Sequence, residues 1–177
     1  HLTYNCQMQI GHDYVIADRT KLREVIFNII SNAIKYTPDG GAVSVKLEEQ
    51  ETEMSGRACY RIVVEDTGIG MSKEFQKHAF EIFAQEHKTA RTTYNGSGVG
   101  LSIVKKTVDL LGGKVDFVSE EGKGTVFTVE LTLKIDKTYE AEKEEVQKRE
   151  EEISISGMHI LVTEDNELNL EIETYML

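Results

Sequence analysis

Two asparagines and a lysine carry the clearest chemical signal in this 177-residue chain. Glu24, Asn28, Asn32 and Lys35 fall at i, i+4, i+8 and i+11 of a helical segment, so they share one face, with Tyr36 beside them. A solvated face is the ordinary reading of such a stripe. Asparagine is a poor helix former, however, and a solvated face favours Glu, Lys or Gln. Side-chain carbonyls and an ammonium in one row can instead hold a divalent cation and an adjacent phosphate.

Asp66-Thr67-Gly68-Ile69-Gly70 directly follows an apolar strand. Taken alone, it is accounted for by a strand-ending turn, since Asp and Gly are common turn residues. The chemical reading is that Gly68 and Gly70 let the backbone approach a flat ligand, while Asp66 accepts a hydrogen bond from an exocyclic amine. Gly96-Ser97-Gly98-Val99-Gly100 opens a helix, where backbone N–H groups and the helix dipole form an anion cradle. A hinge is the plain alternative. The dipole contributes only about 0.3–1 kcal/mol, so a triphosphate would also need the cation and Lys35. Neither a Walker loop nor a dinucleotide fingerprint fits the glycine spacing. Phe80-Glu81-Ile82-Phe83 reads as a hydrophobic plug, and the polar stretch 86–97, with Arg91, as a lid over a pocket.

These residues need a frame. Leu22, Val25, Ile26, Ile29, Ile30, Ala33 and Ile34 repeat at helical spacing, predicting a helix from about 19 to 36 that Asp18 caps and Pro38, Gly40 and Gly41 end. Val43, Val45 and Leu47 alternate with polar residues and, with Tyr60–Val64, predict an antiparallel hairpin. A short helix is expected over 72–79, a longer one over 99–111, and two final strands over 114–119 and 125–133. Residues 1–17 read as edge strands. This order predicts an α+β fold, a two-layer sandwich of a mixed sheet with helices covering one face. Residues 134–156 form a charged linker, read as a solvated helix over much of its length.

Composition limits the partners. Hydrophobic residues make up 40% and charged residues 29%, a globular balance. The net charge of -11 disfavours nucleic acid, which is bound through Lys and Arg. Residues 134–177 carry 5 basic and 13 acidic side chains, so -8 of that charge belongs to the tail. Cys6 and Cys59 lie outside metal-ligand spacing and read as thiols of a reducing compartment. The chain opens at His1 rather than Met, which is read as a piece of a longer protein. The expected location is cytoplasmic, with an inner-membrane anchor of the parent protein left open.

The order of these segments resembles the histidine kinases of the GHKL group, which also holds gyrase, heat-shock chaperones of the ninety-kilodalton class and MutL. Asn28 to Thr37 resembles the N box and Asp66 to Met71 the first glycine box. Phe80–Phe83 resembles the F box, Gly96–Val104 the second glycine box, and Gly122-Lys123-Gly124-Thr125 the closing element. The resemblance covers residues 1–133 and implies a Bergerat-type ATP-binding catalytic domain. It implies that Asp66 binds the adenine amine with Thr125 helping through water, and that Asn32 with Asn28 coordinates magnesium. Lys35 and Tyr36 would contact phosphates or the nucleotide edge, and Gly98 and Gly100 would permit lid movement. Gly68, Gly70, Gly96, Val99 and Leu101 join the binding positions, and Arg91 would reach the terminal phosphate.

In ATP-hydrolysing relatives a glutamate activates water where this chain has Asn28, and an amide is no general base at neutral pH. Phosphoryl transfer is therefore favoured over hydrolysis, with a hydrolysing ATPase and a binding module without catalysis as the alternatives. The implied acceptor is a histidine on a dimerisation domain of a homodimeric kinase. His1, His12, His78, His87 and His159 all lack its sequence context, so this chain is not expected to phosphorylate itself. Met158 to Asn169 resembles the start of a response-regulator receiver domain, with Glu164 and Asp165 as its acidic pair, which assigns 157–177 to a cut-off receiver and the parent to the hybrid kinases.

Overall fold

The computed structural model of the chain describes residues 1–85 and 98–139. Strands β1 (Thr3–Gln9) and β2 (Val15–Ile16) precede helix α1 (Arg19–Tyr36). The hairpin β3 (Ala42–Gln50) and β4 (Arg57–Asp66) follows, then the single-turn α2 (Lys73–Gln76), α3 (Gly100–Leu110) and the hairpin β5 (Lys114–Glu120) and β6 (Gly124–Ile135).

Helix α1 begins where Asp18 accepts the Lys21 N–H at 3.0 Å, satisfying one orphan donor of the first turn. It ends at Thr37, which is extended as a residue before proline should be, and whose hydroxyl donates back to the Ala33 carbonyl at 2.6 Å. Val25, Ile29 and Ala33 lie one turn apart and are buried against the sheet. The sheet runs β1-β3-β4-β6-β2, with β5 also paired to β6; only β1 and β3 are parallel. Val43, Val64, Phe127, Val129 and Leu131 face the helices and meet Val104 and Val108 of α3. The helices thus cover one face of a mixed sheet, the expected α+β sandwich.

Three details depart from the sequence reading. The expected helix over 72–79 keeps one turn, because i+3 bonds from Lys77 and His78 tighten the backbone after Gln76. Phe80–Phe83 is a plug at its first residue only. Phe80 stacks edge-on against Phe117 at 5.4 Å, whereas tight turns and a left-handed Phe83 (φ 64°) leave Ile82 and Phe83 exposed. The sheet also continues past 133, since Val15 and Ile16 pair with Ile135 and Lys134. Beside that extension, Glu49 accepts from the His12 ring at 2.7 Å and from the Gly11 and His12 N–H groups. Burial alone would raise its pKa, but these hydrogen bonds outweigh it and hold the carboxyl below its ordinary value. Linker residues from 140 onward and the 157–177 receiver assignment lie outside the described residues, as does the 86–97 lid assignment. Among the described residues no helix is long and apolar enough to cross a membrane.

Candidate functional site

The polar stripe of α1 meets the start of α3. Asn28 donates its Nδ2 to the Glu24 carbonyl at 2.8 Å, which turns Oδ1 outward. A Cβ placed on Gly100 would stand 3.1 Å from that oxygen and 3.9 Å from Asn32 Nδ2. Any side chain at 100 would therefore intrude between the asparagines and the helix start. Asn28, Asn32, Lys35 and Tyr36 line one cavity of about 260 Å³ with Gly98, Val99, Gly100 and Leu101. Lys35 Nζ sits 5.0 Å from the Tyr36 ring centre and has no ion pair among the described residues. Val99 offers no side-chain cap, so the first N–H groups of α3 remain available to an anion. Glu24 is exposed and does not join the cavity.

Asp66, Gly68, Gly70 and Thr125 form a neighbouring cluster that does not line this cavity. The two are joined through the end of α1, where the Ile69 N–H donates to the Tyr36 carbonyl at 3.1 Å. A Cβ on Gly68 would come within 2.6 Å of that same carbonyl oxygen. Asp66 Oδ1 accepts the N–H groups of Gly68 at 2.8 Å and Thr125 at 3.3 Å. Its Oδ2 has no hydrogen-bond partner among the described residues, yet is not sealed from solvent. Burial pushes the Asp66 carboxyl above its ordinary pKa, against the two N–H groups, and the nearby Glu65 charge adds to the rise. Gly70 (φ 62°) packs so closely on the β5–β6 turn that a Cβ there would lie 2.0 Å from the Glu120 carbonyl oxygen.

Arg91 and Gly96 lie outside the described residues. The sequence reading did not count Ser31, Ala79, Ala84 and Ile103 among the site residues, though they also line the cavity. Ser31 had a faint signal, standing three residues after Asn28 on the same helix. The two alanines had none, because their place depends on how the segment after α2 folds back. Among the described residues no group of three or more His, Cys, Asp or Glu side chains could hold a metal. A cation here would rely on amide oxygens and on the charge of its ligand, as magnesium with nucleotide phosphates does.

Residues 17–135 match the family of histidine kinase-, DNA gyrase B- and HSP90-like ATPases. The chain belongs to that family. Among curated relatives, it is 36% identical over 162 residues to the autoinducer 2 sensor kinase/phosphatase LuxQ of Vibrio parahaemolyticus, covering 90% of this chain and 18% of that protein. It is 39% identical over 125 residues to histidine protein kinase 1 of Candida albicans, covering 68% of this chain and 5% of that one. The chain thus spans less than a fifth of the length of these relatives. Among solved structures, the mycobacterial sensor histidine kinase MprB superposes with a TM-score of 0.57 at 27% identity, over 76% of this chain and 83% of that one. Full-length ShkA in complex with AMPPNP superposes with a TM-score of 0.58 at 26% identity, over 76% of this chain and 26% of that one.

Proposed function

We propose that this chain is the ATP-binding catalytic domain of a hybrid sensor histidine kinase. It passes the γ-phosphoryl group of ATP to a histidine on a dimerisation domain outside the chain. The observation that carries this reading is the cavity itself: two asparagines, a lysine and an open helix start, with no carboxylate or imidazole among its described lining residues. Such a site neutralises and aligns phosphates, and its described residues include no base to activate water. The family match and the sensor kinases among the relatives support the same class.

Each group then has a task. Adenine enters over Gly68 and Gly70 and donates its amine to Asp66. The phosphates reach past Tyr36 into the cavity, where Lys35 and the first N–H groups of α3 offset their charge. Asn28 and Asn32 present oxygens that fit magnesium, which when bound with ATP would neutralise the phosphates and orient the terminal group. The nucleophile is a neutral imidazole nitrogen of the partner histidine, which bonds to the γ-phosphorus as the bond to the β–γ bridging oxygen breaks and ADP leaves. The acidic pair Glu164–Asp165 supports a receiver domain in the parent protein, and a homodimeric parent with an inner-membrane anchor belongs to the same proposal.

The test supplies γ-labelled ATP and magnesium to the chain, with and without a histidine-bearing helical domain. Label is expected on the added domain, with little phosphate released when it is absent. Rapid phosphate release without an acceptor would instead make the chain a hydrolysing ATPase.

A further inference from the structure

The glycine loop leaves β4 at Asp66 and crosses the end of β5, where side chains hold its exit. β5 is paired with β6 on one side, and among the described residues no strand covers its other edge. Met71 lies beside that edge without joining the sheet. Its N–H donates to Ser119 Oγ at 2.9 Å. Gln76 Nε2 donates to the Met71 carbonyl at 2.8 Å and to the Ser119 carbonyl at 3.0 Å. Both partners of Gln76 are carbonyl oxygens, so only the NH2 of its amide can face them, with one hydrogen for each.

Two features keep Gln76 in place. Ser72 caps α2 by accepting the Phe75 N–H at 3.2 Å, and Phe75 packs against the core. From the last position of α2 the Gln76 side chain then reaches back toward the start of the helix, the direction in which helical side chains lean. What it holds bears on Asp66. The Gly68 N–H that bonds Asp66 Oδ1 belongs to the same loop, and Gly70 of that loop is pressed against the Glu120 carbonyl, the residue after Ser119. The place of Met71 on the edge of β5 therefore sets where the adenine-side groups stand.

We infer that Gln76 is a positioning residue for the nucleotide: it clips the exit of the glycine loop to the edge of β5, so that the base end of the site is formed before the ligand arrives. The inference rests on the ATP reading above and deepens it. A ligand that meets an ordered loop loses no affinity to ordering it. Gln76 does not line the phosphate cavity, so its effect falls on the adenine side, which ATP and ADP share.

The experiment titrates AMPPNP and ADP, each with magnesium, into the 177-residue chain and into Gln76→Met, Gln76→Glu and Gln76→Lys. Methionine keeps the length and bulk but donates nothing, glutamate sets an acceptor against two carbonyls, and lysine again donates to them. Gln76→Met should weaken both nucleotides by the same factor, roughly three- to tenfold, the range of one net hydrogen bond. Gln76→Glu should weaken them at least as much, and Gln76→Lys should recover most of the loss. Thermal melting without nucleotide shows whether each variant is folded; should Gln76→Glu fail to fold, the other two decide by the same criteria. Folded Gln76→Met that binds as the parent does would overturn the inference. So would Gln76→Lys no tighter than Gln76→Met, which reduces Gln76 to packing, or a greater loss for AMPPNP than for ADP, which places its effect at the phosphate end through the segment bearing Ala79 and Ala84. A parent chain that binds neither nucleotide overturns the ATP reading and this inference with it.

Discussion

Asp66 is held in a costly state. Its carboxylate is only 8% exposed, and burial raises its pKa although two N–H groups favour the charged form. A carboxyl whose folded pKa is raised adds stability below its unfolded pKa, and that contribution is lost as pH rises through the folded value. Asp66→Asn keeps an oxygen for Gly68 and Thr125 and removes the titration. We expect the variant to melt higher than the parent at neutral pH, with the gap closing as the pH falls below the carboxylate range. The same change should weaken AMPPNP binding tenfold to a hundredfold, since a hydrogen bond to a charged group contributes about 1.5–3 kcal/mol. Melts from pH 4 to 8 and calorimetric titration check the two halves. A variant that melts lower at every pH would show that the charge stabilises the fold.

At the scale of elements, the contact between the first glycine loop and the β5–β6 hairpin positions the base end of the site. The Gly122 N–H donates to the Ile69 carbonyl at 2.8 Å, and Gly70 has no room for a side chain against Glu120. Gly70→Ala combines a left-handed backbone with a backbone clash. It should cost at least about 2 kcal/mol, read as a lowered urea midpoint. Gly122→Ala makes the comparison: it shares a positive φ of 82° but meets nothing within 4 Å, so the loss there should be about 1 kcal/mol, the left-handed strain alone. Equal losses at both positions would show that the close approach is relaxed in solution. This contact was invisible in the sequence. Asp66 to Gly70 reads as a strand-ending turn, and the resemblance couples Thr125 to Asp66 at the base, but the Gly122–Ile69 contact follows from the pairing of β4 with β6.

The whole molecule buries one flank of α1 and leaves another open. Ile29 is 1% exposed, whereas Phe27 and Ile34 are 68% and 47% exposed along an open groove of about 720 Å³ that Leu22, Ile26 and Ile30 also line. Ile29→Ala should cost about 2–5 kcal/mol, while Ile34→Ala should stay within about 0.5 kcal/mol. Chemical denaturation of the two variants checks the contrast, and a large loss at Ile34 would mean that the groove is filled in solution. The apolar stripe read from the sequence was continuous from Leu22 to Ile34, which concealed this division. Periodicity gives the direction of a side chain around its helix but does not say whether a neighbouring element reaches it.

The sequence by itself determined the elements and the chemical types available. The period of α1, its Asp18 cap, the two hairpins and the alternation of their strands are local properties, set by side-chain direction and backbone propensity within a few residues. The pairing of asparagines on one helix face is local too. What tertiary structure alone decided is which local groups meet. It brought Asn28 to Gly100 across two helices, Gly122 to Ile69 between two loops, and Ser119 to Met71 across 48 residues of chain. Those meetings depend on strand order and on packing between the helices and the sheet. No local propensity encodes them, because hydrogen bonds and van der Waals contacts act over a few ångströms in space, whatever the separation along the chain.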